Sequence, residues 1–181
     1  TRRVALLAGE LARAINQEKS TGKQVAVFSE EQIAQLVMAG WLHDIGKIAT
    51  PLEVMDKATR IERQLELVMQ RFDYIAATAR AQYLEKKLEL PGCEVELKEL
   101  ERCWQVEQEY LKQARELVLQ ADNPATFVDA DIREKLQEIA ARTYQDSNGN
   151  LKPWLTEREL TALSVVKGTL TEEERSIMED H

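Results

Sequence analysis

Two runs of apolar residues on a three-four spacing, separated by a Pro-Gly break, constrain this 181-residue chain more than anything else in it. Ile61, Leu65, Val68, Phe72, Ile75 and Ala79 recur at alternating steps of four and three, which is a heptad seam. Leu84 and Leu88 carry the apolar surface on to Pro91-Gly92, a strong turn signal. The return run places Leu97, Leu100, Trp104, Leu111, Ala114 and Val118 at heptad spacing, interrupted at Glu107, and stops before Asp122-Asn123-Pro124. Each helix buries only one side, so residues 61-122 are expected to form an antiparallel coiled-coil hairpin, with Phe72 and Trp104 as packing residues.

Local signals divide the rest of the chain into shorter helices. Val4, Leu7, Leu11, Ala14 and Ile15 fall on one face of a first helix, which residues 20–23 break. Residues 24–28 are too short a run to read as a strand. Ser29-Glu30-Glu31-Gln32 has the spacing of a capping box, with Ile33, Leu36, Val37, Gly40 and Trp41 following at helical intervals. Thr50-Pro51-Leu52-Glu53 opens another helix, with proline at its first position. Asp129 or Asp131 can cap a helix that turns Ile132, Leu136, Ile139 and Ala140 inward and has Tyr144 completing its face. Residues 145–153 read as loop. Asp146-Ser147-Asn148-Gly149-Asn150 is not a calcium loop, because Leu151 stands at the sixth position, where glycine is needed. Thr156-Glu157-Arg158-Glu159 starts a helix with Leu160, Leu163 and Val166 inward, ended by Gly168. Thr171 to Glu174 is another capping box, which gives the three glutamates there a capping role in preference to acid-base chemistry.

Between the second and third helices lies Trp41-Leu42-His43-Asp44-Ile45-Gly46-Lys47, the stretch with the most chemistry. Neighbours on a helix point about 100° apart, so His43 and Asp44 converge on one ion only where the helix ends. The second carboxylate oxygen can then bridge to a second ion. Gly46 eases the turn, and Lys47 offers a point charge suited to a phosphate oxygen. The plain alternative is a half-buried His43 bonded to its neighbour at a helix terminus.

The longer run from Ala39 through Pro51 resembles the signature segment of the HD superfamily of metal-dependent phosphohydrolases. Its continuation through Val54-Met55-Asp56-Lys57-Ala58-Thr59-Arg60-Ile61-Glu62 is similar to the HD-GYP branch, whose members hydrolyse cyclic dinucleotides. A second match, Lys167-Gly168-Thr169 through Glu179-Asp180-His181, is similar to the family's glutamate-rich helix that closes on a metal-binding histidine. The resemblance implies an all-α, HD-domain-like helical bundle. Residues 1-60 would form the first part of a metal-binding core, 61-122 an inserted helical hairpin, and 123-181 the return to the core, the rest of the catalytic domain lying outside this chain. It further implies metal ligation by His43, Asp44 and His181, with Asp44 bridging two ions and Asp44 and Lys47 serving catalysis. The centre would hold two divalent transition metals, iron or manganese. The substrate would be a cyclic dinucleotide, cyclic di-GMP first. A degenerate HD-like signalling or binding module, or an HD phosphohydrolase acting on another nucleotide, are the alternative readings.

Composition narrows the partners. A net charge of -8, from 32 acidic and 24 basic residues, argues against a nucleic-acid polymer, although metals and a few local cations can still hold a phosphorylated ligand. No run approaches a membrane span and the first residues carry no secretory pattern, so a cytoplasmic protein with reduced Cys93 and Cys103 is expected. The hairpin suggests a homodimer, and the resemblance implies an N-terminal sensory or receiver domain outside this chain.

Overall fold

The computed structural model describes residues 2–19, 27–90 and 94–179. The break at 20–23, most of the run at 24–28, the Pro91-Gly92 turn and His181 lie outside the described residues. The elements in order are α1 (Arg2–Lys19), α2 (Glu30–Leu42), a 3-10 helix (Ile45–Ile48), α3 (Leu52–Met55), α4 (Gln64–Glu89), α5 (Glu94–Asp122), α6 (Ala130–Ala141), β1 (Thr143–Gln145), β2 (Leu151–Pro153), α7 (Glu157–Leu163) and α8 (Glu172–Glu179). Among the described residues no helix is long and apolar enough to cross a membrane. The chain divides into two compact units, one running to Met55 and including residues from Glu174 onward, the other spanning Asp56–Glu173.

In the first unit α1 and α2 lie antiparallel and very close. A β-carbon on Gly40 would come within 2.7 Å of the Ala5 Cα, and one on Gly9 within 2.8 Å of a Val37 methyl. Such a crossing needs small residues, so Ala5, Gly9 and Ala12 are buried. Farther along, Asn16 clamps the entry to α2, donating to the Phe28 carbonyl at 2.7 Å and accepting from its N–H at 2.8 Å. This corrects the expected face of α1, since Val4, Leu7 and Leu11 are exposed. Leucine-sized side chains cannot fit where two backbones approach so closely. Ser29 caps α2 as expected, with the reciprocal bonds to Gln32 both made.

The second unit holds the larger core. Val68, Phe72 and Ile75 of α4 meet Leu111, Ala114 and Val118 of α5, and Leu136, Ile139, Trp154, Leu155 and Leu163 complete the cluster. The antiparallel course of α4 and α5 follows from their cross-contacts: Asp73 pairs with Arg115, and Tyr83 stacks on Trp104 with ring centroids 4.9 Å apart. The expected coiled coil is not realised along its length. Burial is confined to the ends nearest α6 and α7, while Leu97, Leu100 and Trp104 are only half-buried and Leu88 is exposed. Glu107, which interrupts the heptads, pairs with Arg142 at 2.8 Å. Arg142 in turn lies 4.0 Å from the Tyr110 ring centroid and 5.0 Å from that of Trp154.

Three further expectations are corrected in this unit. Residues 145–153 are not all loop, because β1 and β2 pair antiparallel with Tyr144 opposite Lys152. The turn between them is built on Asp146, whose carboxylate accepts from the Asn148 and Asn150 N–H groups at 2.9 Å and pairs with Lys152 at 3.0 Å. The Lys152 ammonium first, then these amides, hold that carboxyl down to about 2. Tyr144 therefore leaves the α6 face and packs edge-on against Tyr74. Finally, α7 ends at Leu163 with Ser164 as its cap, well short of Gly168. Of the two aspartates offered as a cap for α6, it is Asp129 that accepts from the Ile132 N–H, at 2.9 Å.

Glu159 gives this unit an acid-sensitive pair. It is buried, grips Arg71 in two bonds of 2.7 and 3.0 Å, and accepts from the Thr156 N–H at 2.7 Å. Burial pushes its carboxyl up, but Arg71 and Thr156 together outweigh that and hold it below the ordinary value of 4.5. The stabilisation is therefore fully present above 4.5 and is lost as pH falls through Glu159's own lower value. Acid unfolding followed by circular dichroism should show this loss, and Glu159→Gln should flatten that part of the pH profile. An unchanged profile in the glutamine variant would assign the acid sensitivity elsewhere.

Candidate metal centre

The His43 junction is shaped by the way α2 stops. His43 is the C-cap, its N–H still bonded to the Ala39 carbonyl at 2.9 Å, while Asp44 leaves helical geometry at φ -108 and ψ 8. That change turns two sequence neighbours toward each other, leaving His43 Nε2 3.1 Å from an Asp44 carboxylate oxygen. The chain then continues as a 3-10 helix, in which Gly46 O accepts from the Ala49 N–H at 2.9 Å. No left-handed backbone is used at Gly46, so the turn there does not depend on glycine's freedom.

Both nitrogens of the His43 ring face acceptors. Nδ1 is 2.8 Å from the Gly40 carbonyl, and Nε2 faces Asp44. A neutral imidazole carries one N–H, so with Nδ1–H donating to Gly40 the Nε2 lone pair points at a carboxylate unless a cation lies there, either a proton or a metal ion. The 3.1 Å spacing suits two neighbouring ligands of one ion, whose bonds run to about 2.0–2.2 Å. A carbonyl on the far nitrogen is also the usual device for fixing a ligand histidine. The pair therefore fits a divalent metal as part of its ligand set.

Lys47 is brought to the same place but on the other oxygen, with Nζ 2.6 Å from Asp44 Oδ1. The Lys47 hydrogen bond, joined by the charge of His43, holds the Asp44 carboxyl below its usual value of 3.8. One oxygen of Asp44 thus faces His43 and the other Lys47. Lys47 occupies the oxygen through which Asp44 would reach a second ion. Among the described residues no group of three or more His, Cys, Asp and Glu side chains gathers to hold a metal, and His181 lies outside them. Sequence reasoning missed the Gly40 carbonyl, because a backbone acceptor leaves no mark on residue type.

The sequence model described as HD domain matches residues 1–123. The chain belongs to the HD domain family. As a member of the HD family it has the fold class of metal-dependent phosphohydrolases, and its predominantly all-α architecture is consistent with that. The match takes in α1, α2, the His43 junction and both long helices of the second unit. No curated protein and no solved structure matches the chain significantly.

Proposed function

We propose that this HD domain contributes to a metal-dependent phosphodiesterase of the HD-GYP type, acting on a cyclic dinucleotide and on cyclic di-GMP first. The observation that carries the reading is the His43 ring held between the Gly40 carbonyl and Asp44, an arrangement that calls for a cation at Nε2. In this reading His43 Nε2 and Asp44 hold one divalent ion, iron or manganese, and Gly40 fixes the ring. Asp44 and His181 would hold a second ion, and the metal when bound would supply Lewis-acid chemistry toward water and a phosphoryl oxygen. Lys47 supplies its ammonium to a phosphate oxygen after leaving Asp44, so that the charge it neutralises passes from carboxylate to substrate. In this reading residues 61-122 are an insertion between two parts of the core.

One observation favours a second reading. The 2.6 Å bond between Lys47 and Asp44 satisfies the junction without any metal, as a binding module that kept the HD scaffold but not the chemistry would do. Both are tested on the full-length protein, prepared anaerobically and reconstituted with iron(II) or manganese(II), by measuring metal content and cyclic di-GMP hydrolysis on the same samples. The enzyme reading expects bound metal and turnover, and Lys47→Met should keep the metal while lowering turnover roughly 10- to 1000-fold. Neither metal nor turnover after reconstitution leaves the binding module.

A further inference from the structure

Lys47 is carried over Asp44 by the kind of helix that joins them. In a 3-10 helix residues three apart stand one above the other, and here Asp44 is the N-cap with Lys47 three residues on. The base of the lysine is pinned, its N–H donating to the Asp44 carbonyl at 3.1 Å and its own carbonyl accepting from the Thr50 N–H at 3.3 Å. Its head is not. The side chain is 44% exposed and reaches Asp44 on a flexible four-carbon stem, so Nζ can leave the carboxylate with no change in the backbone.

The two oxygens of Asp44 serve different cations. Oδ2 lies 3.1 Å from His43 Nε2, whereas Oδ1 is bonded to Lys47 Nζ at 2.6 Å. A divalent ion reaching Asp44 through Oδ1 therefore meets an ammonium already there. A carboxylate oxygen has lone pairs enough for both, so the conflict is one of charge and not of space. A competing anion is what relieves it. The oxygens of a phosphate group accept from an ammonium as a carboxylate does, and a point charge on a mobile stem needs no fixed direction to follow them.

We propose that Lys47 gates the second ion: paired with Asp44 it opposes a divalent cation at Oδ1, and a phosphate group that draws Nζ away opens that oxygen. The inference rests on the reading of His43 and Asp44 as metal ligands and adds an order of loading to it. By linkage the effect is mutual, so a phosphate group tightens the second ion by the same factor as the second ion tightens the phosphate group. The centre is then completed only where a phosphate group is present.

Manganese(II) binding to the full-length protein, followed by electron paramagnetic resonance, tests this without any turnover. Inorganic phosphate should tighten the second ion on the wild type about 10-fold over phosphate-free buffer. Phosphate can also touch the ions directly, so Lys47→Met carries the decision. With the ammonium gone, the second ion should bind about 10-fold more tightly in phosphate-free buffer, the first should stay within about 3-fold, and the phosphate effect should shrink. Lys47→Arg keeps a cation beside Asp44 and should restore the dependence. A hydrolysis-resistant phosphorothioate analogue of cyclic di-GMP, in place of inorganic phosphate, shows whether a diester or the free ion is the source of the phosphate group. A wild type indifferent to both, or a Lys47→Met variant that binds the second ion no more tightly than wild type, would overturn the gate alone. No manganese bound under any condition would overturn the ligand reading and the gate with it.

Discussion

Asp44→Ala in the complete protein should lose at least one equivalent of metal and lower cyclic di-GMP hydrolysis on the order of 10³-fold, with little change in stability. The asymmetry follows from where Asp44 sits. Among the described residues its carboxylate pairs with His43 and Lys47, two half-exposed side chains. Its removal therefore costs the fold little, while in the metal-binding reading it takes away the anionic ligand at the His43 junction. Asp44→Asn separates two contributions, because it keeps the shape and one oxygen but neither the charge nor the capacity to bridge. If the metal-binding reading is right, asparagine retains weaker binding of a single ion and alanine retains none at this position. Full metal content and normal turnover in both variants would make the junction a structural device, and Lys47's bond to Asp44 would then be its purpose.

What could be read from sequence was local in reach. The capping boxes at Ser29 and Thr156 are made as their spacing implies, because both partners lie three residues apart and nothing distant can rearrange them. The meeting of His43, Asp44 and Lys47 is likewise decided by how one helix ends. What escaped depends on distant partners. The face of α1 was misassigned because its leucines suggest a core, whereas the close approach of Gly40 to Ala5 selects small residues instead. The strands β1 and β2 have three residues each, too few for an alternating pattern, and only the Asp146 turn brings them into register. In α4 the heptad spacing was legible, yet periodicity reports that a stripe exists without saying how much of it the chain itself covers.

Arg60 is where a distant partner matters most, and its replacement by methionine should cost about 3–5 kcal/mol of stability. The side chain is fully buried and donates to three carbonyls, those of Ala121 and Asn123 at 2.6 Å and of Thr126 at 2.7 Å. Ala121 lies in the last turn of α5, and Asn123 and Thr126 in the turn that follows, so one guanidinium closes a helix terminus and the turn after it. Asp122, also buried, offsets the charge while accepting from the Ile61 N–H at 2.8 Å. Burial lowers the affinity of Arg60 for its proton, and Asp122 opposes that. Methionine fills much of the stem's volume but makes none of these bonds, taking the guanidinium from the Ala121 and Thr126 carbonyls, leaving the Asn123 carbonyl with the Thr126 N–H at 3.0 Å, and leaving a buried carboxylate without its counter-charge. Adding Asp122→Asn should recover part of the loss, since the amide oxygen can still accept from Ile61 and the unpaired charge is gone. Urea unfolding of the four chains, wild type, both single variants and the double, gives the coupling directly. A loss below about 1 kcal/mol for Arg60→Met would mean that water replaces the guanidinium, and the clamp would not be what fixes the α5 terminus. The expected coupling would instead give Arg60, within the stretch that resembles the HD-GYP continuation, a structural role independent of any metal chemistry at His43.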